Sequence, residues 1–251
     1  MRKYGLIGYP LKHSFSIGYF NERFQNEGID AEYVNYEIAS IDWFESIVLN
    51  NPEIAGLNVT IPYKEQVIPY LDGLDPKTAG AVGAVNVIRV IRNGEKVKLI
   101  GYNSDIVGFT KSIEPMIDAK KHTHALILGT GGASKAVYHG LKSLGIASMF
   151  VSREHRNDST YTYDELTPEV LDQHKVIVNC TPVGMFPHTT ECPNIPYELL
   201  TSDHVLYDLI YNPSDTKFMQ KGRAQGAKVK NGLEMLILQA EVSWEIWNAQ
   251  S

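Results

Sequence analysis

Ala125 to Leu128 is an unbroken apolar run; Gly129-Thr130-Gly131-Gly132 follows at once, and a helical pattern continues to Leu144 with Gly145 as its stop. A buried strand, a tight glycine turn and a helix in direct succession open a dinucleotide-binding βαβ unit. In such a unit the backbone N–H groups at the helix N-terminus face a pyrophosphate. Gly129 and Gly131 take the first two glycine positions of G-x-G-x-x-G, and Ser134 stands at the third. The motif alone is equally compatible with a plain turn; the flanking strand and helix favour the dinucleotide reading.

The following residues continue the same pattern. Ala147 to Val151, Lys175 to Cys180, Val205 to Ile210 and Ala227 to Lys230 read as strands, separated by helical stretches at Thr167–Gln173 and Thr216–Gln225. That order predicts a parallel, doubly wound sheet. The second strand ends in Val151-Ser152-Arg153, where an NAD enzyme usually carries an acidic residue for the ribose hydroxyl. Arg153, with Arg156 behind it, instead suits a 2′-phosphate and puts NADP ahead of NAD, although Glu154 lies between them.

The upstream part is also α/β, with different connections. Lys3 to Gly8 is a short strand, and Ser16 is positioned to cap a helix that runs to Glu27 and stops at Gly28. Val34, Tyr36 and Ile38 alternate as in a half-buried strand, a helix spans about Asp42 to Leu49, and Gly56 to Thr60 reads as a buried strand. Val85 to Ile91 and Lys96 to Tyr102 flank Asn93-Gly94, a strong hairpin signal. The texture changes near Asp105, and the final helix, Leu233 to Trp247, has no strand after it. The expected organisation is therefore a substrate-binding, catalytic domain of residues 1–104 completed by 233–251, and a Rossmann-like dinucleotide domain of residues 105–232.

With 251 residues the chain is long enough for a substantial core, and a formal net charge of −6 gives no bulk attraction for nucleic acid or anionic membrane. Two cysteines, Cys180 and Cys192, do not make a disulfide framework, and no Cys/His ladder points to a metal. No segment reaches the ~20 apolar residues of a transmembrane helix. Gly5, Gly8 and Pro10 also cut the first apolar run before a signal-peptide core forms. The expectation is a cytoplasmic protein, monomeric or homodimeric, acting on a small molecule. Trp43, Trp244 and Trp247 read as packing anchors, and His122 and His124 as strand-edge residues.

Seven ordered blocks carry a closer likeness. They are Gly8-Tyr9-Pro10-Leu11-Lys12-His13-Ser14-Phe15-Ser16, Asn58-Val59-Thr60-Ile61-Pro62-Tyr63-Lys64, Ala84-Val85-Asn86, and Gly101-Tyr102-Asn103-Ser104-Asp105 upstream. Downstream come Gly129-Thr130-Gly131-Gly132-Ala133, Asn179-Cys180-Thr181-Pro182-Val183-Gly184-Met185, and Asn231-Gly232-Leu233-Glu234-Met235-Leu236 with Gln239. Together they resemble the shikimate dehydrogenase family over nearly the whole chain. The resemblance implies reversible, NADPH-dependent reduction of 3-dehydroshikimate to shikimate, on the route to chorismate and the aromatic amino acids. It implies that Ser14 and Ser16 hold the substrate carboxylate, and that Asn58, Thr60, Asn86 and Gln239 bind ring hydroxyls or the carboxylate. Lys64 and Asp105 match the catalytic pair, and Tyr211 a tyrosine near substrate and nicotinamide. Gly129, Gly131, Gly132 and Ala133 match the pyrophosphate loop, Ser152 and Arg153 the adenosine-phosphate site, and Thr181, Met185 and Gly232 the cofactor cleft.

The chain departs from the family pattern at Ile17 and Phe20, where Pro and His are common, and at Glu154 and Glu234, which replace Thr and Gly. Two rival readings share the fold: an NAD-dependent quinate/shikimate dehydrogenase, and a non-catalytic ligand sensor. Lys64 and Asp105 speak against the sensor.

Overall fold

The computed structural model describes residues 1–11, 14–94, 96–155 and 160–249. Arg156 therefore lies outside the described residues. The chain forms two compact units, Met1–Ser104 with Ala240–Ser251, and Asp105–Gln239.

In chain order the first unit contains β1 (Arg2–Gly8), α1 (Phe15–Glu27), β2 (Ala31–Glu37), α2 (Phe44–Asn50), β3 (Ile54–Val59), β4 (Gly73–Leu74), α3 (Ala79–Val82), β5 (Val87–Asn93) and β6 (Lys96–Tyr102). The strands form one sheet in the order β2-β1-β3-β5-β6-β4. β1 is parallel to β2 and β3, whereas β3-β5 and β5-β6 are antiparallel. β1 is buried along most of its length because both faces are covered. Ile7 joins a core with Phe44, Val48, Leu57 and Ile88, while Tyr4 and Leu6 join Phe20, Phe24, Tyr33 and Trp247.

The second unit holds most of α4 (Ser104–Ile113), then β7 (His124–Leu128), α5 (Gly132–Ser143), β8 (Ala147–Ser152), β9 (Thr160–Thr162), α6 (Pro168–Gln173), β10 (Val176–Asn179), β11 (Val205–Asp208), α7 (Lys217–Ala224) and β12 (Lys228–Lys230). Its sheet is parallel throughout, in the order β12-β11-β10-β7-β8-β9. The chain winds outward from β7 in one direction and from β10 in the other, which is the doubly wound dinucleotide-binding order. The last helix, α8 (Leu233–Asn248), contributes its first residues to this unit and its remainder to the first. Among the described residues no helix is long and apolar enough to cross a membrane.

Several local expectations are corrected. Ser14, not Ser16, occupies the N-cap of α1. In β2 Val34 and Tyr36 are half-buried and Ile38, just past the strand, is buried, as the alternation predicts; Tyr33, outside that alternation, is buried as well. Trp43 is 62% exposed and anchors nothing, unlike Trp247, which is buried. His122 is buried, its Nδ1 accepting from the Asp118 N–H at 2.8 Å and its Nε2 bonded to the Asp203 carbonyl at 3.0 Å. The three-residue strand β9 carries too little pattern to be read in advance.

Candidate active site

In the first unit the candidate residues gather at the carboxyl ends of β1 and β3. Strand order reverses between these two strands, where open α/β sheets form ligand crevices. Backbone bonds from Thr60 N to Ile7 O (2.9 Å) and from Tyr9 N to Ile61 O (3.1 Å) hold the two strand exits together. Ser14 sits on the β1 exit, at the start of α1. Its hydroxyl is buried, does not cap the helix, and has no hydrogen-bond partner among the described residues. A buried hydroxyl left unsatisfied costs free energy until something bonds to it, so it suits an anionic ligand group at a helix N-terminus.

Asn58 and Asn86 are both buried and belong to one polar network. The Tyr33 hydroxyl donates to Asn58 Oδ1 at 2.8 Å. Asn58 Nδ2 donates to Asn86 O and to Ser243 Oγ, both at 3.1 Å. Asn86 Oδ1 accepts from the Ser104 N–H at 2.7 Å, and Asn86 Nδ2 donates to Ser104 Oγ at 3.1 Å. Lys64 is half-buried just beyond β3, in a segment fixed by Val85 N donating to Lys64 O at 2.7 Å. Thr60 is half-buried at the strand exit. The sequence gives no functional signal at Tyr33 or Ser243, and assigns Ser104 no role. They are ordinary residues in strand and helix patterns, and only the fold makes them neighbours.

In the second unit the candidates line the carboxyl ends of β7, β8, β10 and β11. Gly129 has φ +97°, and a Cβ there would lie 3.0 Å from Thr181 Cγ2, so the turn after β7 and the turn after β10 meet where the winding reverses. Gly129 N donates to Val151 O at 2.8 Å, which places Ser152 and Arg153 beside the glycine turn. Arg153 is exposed, and Ser152 is half-buried. Gly131 caps α5 without any side-chain bond, and nothing lies within 4 Å of a Cβ built on Gly131 or Gly132. Ala133 is half-buried in the first turn of α5, and the Ser134 hydroxyl turns inward to Gly131 O at 2.6 Å. The uncapped helix N-terminus and open glycine backbone fit a dinucleotide pyrophosphate.

A second buried network braces this edge. Thr216 Oγ1 donates to Asp208 Oδ2 at 2.6 Å, Asn179 Nδ2 donates to Asp208 Oδ1 at 3.0 Å, and Thr181 Oγ1 donates to Asn179 Oδ1 at 2.7 Å. Burial pushes the Asp208 carboxyl up to about 6, against the pull of these hydrogen bonds. Phe186 N donates to Asn212 O at 3.1 Å, joining the loops that carry Met185 and Tyr211. These side chains are 47% and 43% exposed. Gly232 N donates to Ile210 O at 3.1 Å, and a Cβ at Gly232 would stand 2.0 Å from Leu209 O. Glu234 accepts from Ser112 Oγ at 2.7 Å and pairs with Lys230, so the larger residue at this position has its own partners. Asp105, half-buried in the first turn of α4, and Gln239, which donates to Leu236 O at 2.9 Å, also belong to the second unit.

Comparison with known proteins agrees with this layout. Residues 6–88 match the family model for the shikimate dehydrogenase substrate binding domain. The NADP(+) shikimate dehydrogenase of Halothermothrix orenii is 39% identical to the chain, with 97% of this chain and 89% of the relative covered. The chain belongs to the shikimate dehydrogenase family. The Aquifex aeolicus shikimate dehydrogenase crystal structure superimposes with a TM-score of 0.84 at 34% identity, covering 100% of this chain and 93% of that one. The Thermus thermophilus shikimate 5-dehydrogenase, solved with NADP(H) and shikimate, gives a TM-score of 0.81 at 25% identity, covering 100% and 94%. The family also accounts for the pairing of a mixed sheet with a doubly wound one.

Proposed function

We propose that this chain interconverts shikimate and 3-dehydroshikimate with NADP(H), as a cytoplasmic enzyme in the supply of chorismate and aromatic amino acids. The observation that carries the reading is relationship at 39% identity across nearly the entire chain to an NADP(+) shikimate dehydrogenase. Support also comes from a helix N-terminus suited to pyrophosphate in one unit and an unsatisfied serine hydroxyl in the other.

On this reading the first unit binds the substrate. Ser14 and Ser16 hold its carboxylate with hydroxyl donors, which take an anion without burying a permanent counter-charge. Asn86 has one amide N–H beyond those used internally and donates it to a ring hydroxyl; Thr60 contributes a second polar contact. The second unit binds the cofactor through Gly129, Gly131, Gly132 and Ala133. Ser152 and Arg153 take the 2′-phosphate, and Thr181, Met185, Tyr211 and Gly232 form the nicotinamide end. When bound, NADP+ supplies the hydride acceptor that the protein lacks. Lys64 accepts the proton that leaves the alcohol oxygen, and in the reverse direction, as an ammonium, donates it to the developing alkoxide. Asp105 is the second member of the catalytic pair. Gln239 adds a hydrogen bond to the substrate.

Glu154, exposed beside Arg153, favours a second reading in which NAD replaces NADP. Initial rates with shikimate and quinate, each with NADP+ and NAD+, separate the cases. The expected result is the highest kcat/KM for shikimate with NADP+. Preference for NAD+ or quinate would assign the chain to the related branch, and binding without turnover would make it a sensor.

A further inference from the structure

Tyr33 is 1% exposed, and its ring stacks on Phe20 with centroids 4.9 Å apart and planes at 13°. It lies in β2, at the edge of the sheet, and the Asn21 side chain takes both of its outward backbone groups. Tyr33 N donates to Asn21 Oδ1 at 2.8 Å, and Asn21 Nδ2 donates to Tyr33 O at 2.9 Å. Ring and backbone are thus both fixed, and the phenol oxygen is delivered to one place. There it donates to Asn58 Oδ1 at 2.8 Å.

The side-chain amide of Asn58 has two N–H donors, and Asn86 O and Ser243 Oγ use both. Its orientation is therefore set, with only spare acceptor capacity on Oδ1 to offer a ligand. Asn86 keeps a spare donor instead. We propose that Tyr33 is a positioning residue for the substrate, holding the Asn58 carbonyl in one register so that Asn58 accepts and Asn86 donates. This assignment rests on the shikimate reading above. Tyr4 provides an internal contrast: it is fully buried in the same aromatic cluster, but its hydroxyl has no partner among the described residues.

The test compares Tyr33→Phe with Tyr4→Phe in the full chain. Wild-type turnover of shikimate checks the shikimate reading by itself; the ratio of variant to wild type checks Tyr33. Tyr33→Phe keeps the ring stack but strands the Asn58 acceptor, so KM for shikimate should rise about tenfold. kcat should change less, and the Kd for NADP+, measured by calorimetry, should not move. Tyr4→Phe should leave all three unchanged. Adding Asn58→Ala to Tyr33→Phe should raise KM by less than it does in the wild type, because Tyr33 acts through Asn58. An unchanged shikimate KM in Tyr33→Phe, or full additivity with Asn58→Ala, would overturn the proposal. If Tyr33→Phe does not fold, Ser243→Ala probes Asn58 from its other side. A raised shikimate KM with intact NADP+ binding then supports the network, and an unchanged one rejects it.

Discussion

Trp247 occupies the space that a side chain at Gly56 would need: a Cβ built there would lie 2.2 Å from the indole ring. The ring is held by its Nε1 donating to Ile88 O at 3.2 Å and by stacking on Tyr4 at 4.8 Å. Gly56→Ala should therefore destabilise the first unit by about 1–3 kcal/mol, the usual cost of overpacking a filled core. Trp247→Ala should cost about 3–5 kcal/mol by leaving a cavity. Urea unfolding of each variant, followed by the change in midpoint at constant m-value, checks both.

Lys64→Ala should lower kcat by at least about a hundredfold while shikimate KM moves little, because loss of a positioned proton carrier raises the barrier more than it weakens binding. Steady-state kinetics with saturating NADP+ decide this. A near-normal kcat would remove Lys64 from the chemistry.

Arg153→Gln should weaken NADP+ about ten- to a hundredfold and leave NAD+ nearly unchanged, because only NADP+ presents the 2′-phosphate that a guanidinium clasps. Glu154→Thr should act in the opposite sense. Titration of both cofactors by calorimetry checks the pair, and a parallel loss of NAD+ affinity in Arg153→Gln would show that the arginine serves structure.

Two buried histidines of the second unit should make the protein lose stability in mild acid. Burial is the main cause lowering the pKa of His204, as it is for His174, from an ordinary value of 6.5. His204 Nδ1 accepts from the Thr201 N–H at 3.0 Å and Nε2 donates to Leu171 O at 3.0 Å, so the fold requires the neutral ring. The unfolded chain takes up these protons first, and stability present above about pH 6.5 declines as pH falls toward the folded-state values. Asp208, raised to about 6, works the other way: its contribution is full below its ordinary value of 3.8 and is lost as pH rises through about 6. Urea midpoints from pH 8 to pH 5 should fall, and His204→Gln should flatten the decline. A flat wild-type profile would sink the histidine account.

What was legible in the sequence was local. The β7–Gly129–α5 passage announces itself because strand, glycine turn and helix are contiguous, and the β5–β6 hairpin because Asn93-Gly94 lies between its strands. The candidate residues in the quoted blocks fall at strand exits for the same reason. The buried network was not legible: Tyr33, Asn58, Ser104 and Ser243 come from two strands, a helix start and a helix, and no spacing rule connects them. Burial of His122 and exposure of Trp43 likewise depend on what the rest of the chain places above them. Residue type alone suggested the reverse.

The discontinuity of the first unit has a consequence for synthesis. Its six strands leave the ribosome early, yet Ala240, Ser243 and Trp247, which complete its aromatic core and its buried asparagine network, emerge only after the whole of the other unit. Until then the indole ring beside Gly56 is absent and Asn58 lacks one of its two acceptors. The half of the molecule begun first is thus the half completed last, after the other unit already has all of its residues.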